Sequence, residues 1–345
     1  MTNPSYFSRK VKVLTFLLSS SVVFLHALNY AVYPLESGLG MLGSYFFDLQ
    51  MFLFGLFSVA VPMFFLLSAY LFYRNFALQD LKRKYHSRFF SLVIPYFFWN
   101  LVGYLYVVLL TNLPVISDYI NRPQVSFDLS SLFQSTLMGD YNILWFVRNL
   151  ILFVLIAPLI HLITKNKSLA ILSLVSLFTY NVFFPSTEYG LLYTGCFYLT
   201  GAVLAVHGKN FFEKRIPKNL SILSLVLAFV ILLFFKQSNI LDDFSYRALA
   251  LSSLVFAIWC AFDLFEFKPT KYESWFTLTF FIYCTHTLIL EPVEKVFLLL
   301  FKNTLLGSIL DFIFAPILTL LIIYFLAFLL KRFIPRFYAL ITGGR

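Results

Sequence analysis

Ten long apolar stretches constrain what this chain can fold into. A helix that crosses a membrane needs about 20 mostly apolar residues, and each stretch reaches or approaches that length. The sequence therefore predicts an all-α integral membrane protein, a bundle of about ten transmembrane helices that forms a single membrane-embedded domain over residues 1–345. The stretches cover residues 12–33, 49–73, 89–111, 143–164, 168–184, 189–207, 219–235, 245–265, 275–300 and 310–330.

The composition supports a lipid environment rather than water. Of the 345 residues, 60% are hydrophobic and only 12% are charged, whereas a soluble domain carries about 25% charged residues. A net charge of +10 would suggest nucleic-acid binding in a soluble protein. Here we attribute it to cytoplasmic loops and expect no nucleic-acid partner. Cys196, Cys260 and Cys284 show no ligand spacing, so we expect neither a metal site nor a disulfide framework.

The distribution of Lys and Arg predicts the orientation of the chain. If the N-terminus is cytoplasmic and the ten stretches alternate, 20 of the 26 Lys and Arg residues fall on the cytoplasmic side, as the positive-inside rule requires. Both termini are then cytoplasmic. The first apolar stretch is too long for a usual signal peptide, so we expect it to be retained as the first helix. The predicted location is the cell (cytoplasmic, or inner) membrane, with membrane lipid as a partner.

Two histidines interrupt the apolar stretches, where an ionisable side chain often marks a functional site. His26 follows Lys12 by 14 residues, which places it about 21 Å above the cytoplasmic end of the first helix, in the outer half of the membrane. His286 follows Trp275 by 11 residues and is expected near mid-membrane. Ordinary helix packing would also explain either imidazole.

Two charged residues near the outer ends of helices are further candidates. Glu291 lies five residues beyond His286, about 140° around the helix, so the two side chains need not touch. Arg148 lies early in its helix and would place a cation toward a pocket. The alternatives are a solvated carboxylate for Glu291 and a snorkelling side chain for Arg148.

A basic segment on the cytoplasmic side is the strongest charged feature. Clustered Lys and Arg suit the phosphates of a donor such as a coenzyme thioester; they also suit an orientation signal and anionic lipid contact. The candidate donor-binding residues are Lys12, Arg74, Lys82, Arg83, Lys84 and Arg88.

The remaining ionisable residues of interest are expected to be structural. Asp263 and Glu266 end a helix close to Lys268 and Lys271 in sequence and are expected to pair there. The other histidines, at helix ends or in the basic segment, are His86, His161 and His207.

Six segments in order resemble the acyltransferase-3 family of integral-membrane O-acyltransferases. The resemblance spans almost the whole chain, although each segment is weak by itself. The segments are VVFLHALNY, VPMFFLLSAYLFYRNF, KRKYHSRFFSLVIPYFFWN, LWFVRNLILFVLIAPLI, LLYTGCFYLTGAVLA and FFIYCTHTLIL.

One departure concerns the first helix. The family's pattern is an Arg, ten residues and then a His, and here Thr15 occupies the position of the Arg ahead of His26. Eleven residues span about three helical turns, so both positions share a face about 16 Å apart. Lys12 lies about 40° from that face and one turn lower, where it could supply the cation.

The resemblance implies a ten-helix enzyme that moves an acyl group, often acetyl, across the membrane. The donor would be cytoplasmic acyl-CoA, with acetyl-CoA the simplest case, and the acceptor a hydroxyl of an extracytoplasmic glycan or related envelope molecule, as in O-acetylation of a polysaccharide. His26 would be the base, since imidazole titrates near neutral pH. His286 and Glu291 would orient the acceptor or the base, and Arg148, Asn29 or Tyr30 would stabilise the oxyanion.

Two other functions remain open. Intramembrane His, Arg and Glu also mark the pathways of transporters, so a transporter or flippase for a glycan or small metabolite is an alternative. Thr15 keeps open a non-catalytic family member that acts as an assembly partner, and a homo-oligomer is not excluded.

Overall fold

The structure is a computed structural model that describes residues 6–29, 40–113, 124–138, 144–184, 190–238, 244–266, 274–301 and 304–344. The described residues form sixteen α-helices with short 3₁₀ or π turns and no strand. The helices are α1 (Tyr6–His26), α2 (Gly40–Phe57), α3 (Ala60–Tyr73), α4 (Leu81–Arg88), α5 (Ile94–Asn112), α6 (Leu129–Met138), α7 (Trp145–Leu155), α8 (Ala157–Lys165), α9 (Lys167–Phe183), α10 (Leu191–His207), α11 (Lys209–Glu213), α12 (Lys218–Ser238), α13 (Phe244–Ala261), α14 (Thr279–Phe301), α15 (Leu305–Phe333) and α16 (Pro335–Thr342).

The all-α character is confirmed for the described residues, and it is consistent with an integral membrane protein. All ten predicted stretches are helical over most of their described residues, and several of these helices are apolar enough for lipid. Four helical segments are also long enough to cross a membrane, and a bent pair would make a fifth. The count of ten spans and the cytoplasmic termini stay predictions, and we use "cytoplasmic" and "outer" in that predicted sense. The four segments are Met41–Tyr73, Leu78–Asn112, Arg247–Leu264 and Leu305–Phe333.

The bent pair corresponds to one predicted stretch, residues 143–164. Its two helices, α7 and α8, meet at 64°, with the break at Ile156 and Pro158 in the first turn of α8. Proline has no N–H to donate to the preceding turn and its ring crowds the carbonyl there. The stretch therefore breaks instead of continuing as one straight helix.

The packing of α3 against α10 forms the centre of the core and depends on one small residue. A Cβ atom placed on Gly201 would lie 2.1 Å from the carbonyl oxygen of Leu66 and 3.0 Å from the Cβ of Ala69. The two helix backbones therefore approach more closely at this point than any larger residue would permit. Aromatic side chains fill the space on either side, with Phe153 stacked on Tyr198 at 4.6 Å.

Two ring contacts show that α1 and α14 run parallel and side by side. Phe16 lies 5.4 Å from Phe276, and His26 lies 5.2 Å from His286, measured between ring centroids. Each pair has the same offset in sequence, so the two segments advance together. The predicted topology, in which both helices run from the cytoplasm outward, agrees with this arrangement.

A buried ion pair holds the cytoplasmic end of α1. The Lys10 ammonium lies 2.7 Å from the Asp263 carboxylate, and both side chains are almost fully buried. The Tyr6 hydroxyl donates to the same carboxylate at 2.5 Å, and the ammonium sits 3.8 Å from the Trp259 ring. The first helix therefore supplies a counter-ion for Asp263 that the sequence did not indicate; the expected partners Lys268 and Lys271 lie outside the described residues.

A second polar network holds the outer end of the same segment. The Asn29 side-chain amide donates to the Ser308 carbonyl at 2.9 Å and to the Asp311 carboxylate at 3.0 Å. Its oxygen accepts from Gln50 and from the Ser308 hydroxyl, and its backbone N–H donates to Gln50. All four residues are buried. The segment that follows α1 is thereby tied to both α2 and α15.

The close approach at Gly201 predicts a stability difference between two glycines of α10. Gly201→Ala should destabilise the fold by about 1–3 kcal/mol, since an inserted methyl group forces the backbones apart. Gly195→Ala is the matched control, because its added Cβ would meet only the Phe153 side chain at an ordinary 3.9 Å. Thermal unfolding of both variants in detergent is the measurement. Equal melting temperatures would contradict the packing described.

Candidate functional site

The structure brings together the two histidines predicted from the apolar stretches. His26 is the last residue of α1, and its ring lies 5.2 Å from that of His286 in α14, with a tilt of 43° between the rings. His286 is fully buried, whereas the His26 side chain is exposed. One imidazole of the pair is thus accessible to a reactant, and the other lies behind it in the protein.

The surroundings of His286 fix which of its nitrogens carries the proton. Its Nδ1 lies 2.7 Å from the carbonyl oxygen of Tyr283 and 3.2 Å from that of Ile282. A carbonyl oxygen only accepts hydrogen bonds, so we assign the proton to Nδ1. Nε2 is then an acceptor, and it has no hydrogen-bond partner among the described residues. This arrangement leaves a lone pair available in a site shared with His26.

The depths predicted for the two histidines differ, yet their rings lie side by side. The reason is that the helices start at different heights. α1 begins at Tyr6, before Lys12, whereas α14 begins only at Thr279, after a 3₁₀ turn that contains Trp275. Residue counts from the first charge or aromatic ring are therefore a poor measure of relative height.

A cavity of about 450 Å³ lies on the cytoplasmic side of the histidine pair, between α1, α3, α7 and α14. Most of its wall is apolar, with Phe64, Phe146 and Phe280 among the contributors. It reaches Tyr283, one turn before His286. Its polar side chains are those of Lys12, Thr15, Ser19, Ser68, Arg88, Tyr198, Thr277, Thr279 and Tyr283.

The face of α1 that lines this cavity also carries His26. At 100° per residue, positions 12, 15, 19 and 26 lie within about 60° of one another. Ser19 and His26 are seven residues apart, or about 10 Å along the axis. The cavity wall therefore leads along one helix face from the cytoplasmic cations toward the exposed imidazole.

Two of the predicted donor-binding cations line the cavity. Lys12 is exposed at its rim. Arg88 is half-buried, and its guanidinium carbon lies 5.6 Å from the centre of the Phe72 ring. Lys12 and Arg88 come from different parts of the sequence and line the same cavity, which the sequence spacing by itself did not indicate.

The other predicted cations have different surroundings. Arg74 forms a bidentate ion pair with Glu213, at 2.6 and 2.7 Å. Arg83 is mostly exposed and pairs with Asp80, and Lys84 donates to the Phe72 carbonyl. Lys82 is exposed. A donor-binding role for these four residues stays a prediction, and for Arg74 it would compete with the bond to Glu213.

The two candidate charges near the outer side are also placed. Glu291 is half-buried on α14, and Arg148 is half-buried in the first turn of α7; their roles stay predictions. Both amide hydrogens of Asn29 are already donated within its network, so the expectation that Asn29 stabilises an oxyanion was wrong. Tyr30 lies outside the described residues.

Sequence reasoning did not single out Tyr198 and Ser68, which line the cavity from α10 and α3. Both sit in apolar stretches where hydroxyl side chains are common, so no local pattern distinguishes them. Within the described residues no group of three or more His, Cys, Asp or Glu side chains is placed to hold a metal ion.

Comparison with known proteins identifies the family of the chain. The family model described as an acyltransferase domain matches residues 11–330, which include the cavity, the basic segment and both histidines. No curated protein and no solved structure matches the chain. Since the match covers nearly the whole sequence, this chain belongs to the acyltransferase-3 family of membrane acyltransferases.

Proposed function

We propose that the protein moves an acyl group, acetyl in the simplest case, from cytoplasmic acyl-CoA to a hydroxyl of an extracytoplasmic glycan or related envelope molecule. The observation that carries the proposal is that one face of α1 both lines the cavity and carries His26. It lines a large, mostly apolar cavity with cations at one end and carries an accessible imidazole beyond the other.

The charges suit a phosphorylated donor that enters from the cytoplasm. Lys12 and Arg88 line the cavity, and paired cations from different helices can contact the phosphates of a coenzyme while its thioester extends inward. Thr15 lines the same cavity, and its hydroxyl is bonded to carbonyls of its own helix. In this arrangement the cations at the mouth take the place of an Arg at position 15.

The histidine pair can carry the proton transfers of such a reaction. A neutral His26 would accept the proton of the acceptor hydroxyl as its oxygen attacks the thioester carbonyl carbon. The tetrahedral intermediate would then collapse, the carbon–sulfur bond would break, and the leaving thiolate would take the proton from His26. The products are the ester and free CoA. His286, with its Nδ1 proton bonded to Tyr283, would hold the ring of His26 in place.

Cleavage of the thioester distinguishes an acyltransferase from both alternatives, the transporter and the non-catalytic family member. Neither would cleave acyl-CoA. Purified protein incubated with [¹⁴C]acetyl-CoA and a hydroxyl-bearing glycan acceptor should release free CoA and label the acceptor. Binding without release of CoA would contradict an enzymatic role.

The proposed base predicts the effect of replacing His26. His26→Ala should lower acyl transfer by about 10²–10⁴-fold, the usual contribution of a general base, while acyl-CoA binding stays within about twofold. The initial rate with labelled acetyl-CoA is the measurement. His161→Gln is a control, because that imidazole packs against Phe76 and lies outside the cavity lining. Transfer at the wild-type rate by His26→Ala would exclude this role.

The cavity predicts different roles for two arginines of the basic segment. Arg88→Gln should raise the KM for acyl-CoA by about tenfold, since one contact between a cation and a phosphate is lost. Arg83→Gln should leave it within about twofold, because Arg83 is mostly exposed and pairs with Asp80. Initial rates against acyl-CoA concentration at low and high salt provide the comparison. Equal KM values for the two variants would argue against the cavity as the donor site.

A further inference from the structure

One hydroxyl of α1 differs from its neighbours in a way that a helix alone does not explain. Thr15, Ser20 and Ser21 each donate to a carbonyl three or four residues earlier, at 2.8 to 3.0 Å, as hydroxyls in membrane helices usually do. Ser19 is buried, at 2% exposure, and its Oγ has no partner among the described residues. It lines the cavity.

A second buried hydroxyl lines the same cavity from α10. Tyr198 is 1% exposed, and its hydroxyl lies beside the Tyr73 hydroxyl and within electrostatic reach of the Arg88 guanidinium. The adjacent Tyr73 hydroxyl already donates to the Ala157 carbonyl at 3.2 Å. A buried polar group without a partner costs about 1–3 kcal/mol, so the Ser19 hydroxyl gains from bonding a polar group that enters the cavity.

The position of these hydroxyls restricts the chemistry of that ligand. Both are neutral: Ser19 lies between the exposed cation Lys12 and the histidine pair along α1, and Tyr198 lies near the Arg88 guanidinium. A saturated acyl or lipid chain has no group to bond to them. An extended chain with amide groups along it does, and an amide that entered such a cavity unbonded would be penalised.

We propose that Ser19 and Tyr198 bind the amide-bearing pantetheine arm of the thioester donor and position its thioester toward His26. This inference rests on the proposed function. Ser19 lies between Lys12 and His26 on one helix face, seven residues from each. The phosphates remain with the cations at the mouth, and the arm spans the neutral middle of the cavity. No bond is made or broken at either hydroxyl.

The test compares two ligands that differ by the arm. The full-length protein and its variants, reconstituted in lipid nanodiscs, are titrated with CoA and with adenosine 3′-phosphate 5′-diphosphate, which keeps all the phosphates of CoA and lacks pantetheine. Ser19→Ala and Tyr198→Phe should each weaken CoA binding by about three- to tenfold, the usual range for one neutral hydrogen bond. Their affinity for the arm-free nucleotide should stay within twofold of wild type.

Ser20→Ala is the matched control, because its hydroxyl already bonds within the helix; it should leave both affinities unchanged. CoA binding to Ser19→Ala at wild-type affinity would overturn the inference, as would an equal loss for both ligands, which indicates a distorted fold. Acyl transfer is assayed on the same samples. If binding depends on the arm but no acyl group is transferred, the inference holds and the enzymatic function is rejected. If the wild-type protein transfers the acyl group but Ser19→Ala binds CoA with wild-type affinity, the enzymatic function holds and the inference is rejected.

Discussion

The rest of the site depends on how the first helix is fixed in the bundle. Its cytoplasmic end is tied by the buried Lys10–Asp263 pair at 2.7 Å, and the residues that follow its outer end are tied by the Asn29 network. A buried charge that loses its partner costs several kcal/mol. A shift of α1 by one turn would break both sets of contacts and would therefore be strongly unfavourable. The two ties together set both the height and the rotation of α1. The position of the cavity-lining face and of His26 relative to the other helices is therefore fixed.

The fold class could be predicted from the sequence because apolar length is a local property. The ten stretches became helices, and the shared face of Lys12 and His26 followed from helical periodicity alone. The bend between α7 and α8 was missed, although Pro158 provided a signal. The pairing of His26 with His286 and of Lys10 with Asp263 is tertiary. No pattern within either helix specifies which residue of another helix will lie opposite.

The basic segment illustrates the same limit with chemically identical side chains. Arg74 and Arg88 both lie in the sequence region that indicates phosphate binding. Glu213, contributed by α11, engages Arg74 through both guanidinium contacts, whereas Arg88 lines the cavity. Since the partner comes from a distant segment, composition identifies the cluster as cationic without showing which cation has space for a ligand.

Thr15 has a further consequence for how charge is distributed along the cavity. A cation at this depth would be costly in an apolar wall unless paired, and among the described residues the cavity lining includes no carboxylate. A threonine bonded to its own helix carries no such penalty. Lys12 is instead exposed at the rim of the cavity, where water can solvate it when no donor is bound. A wall that is neutral at Thr15 and Ser19 then suits an uncharged, amide-bearing chain that follows the phosphates of a donor into the cavity.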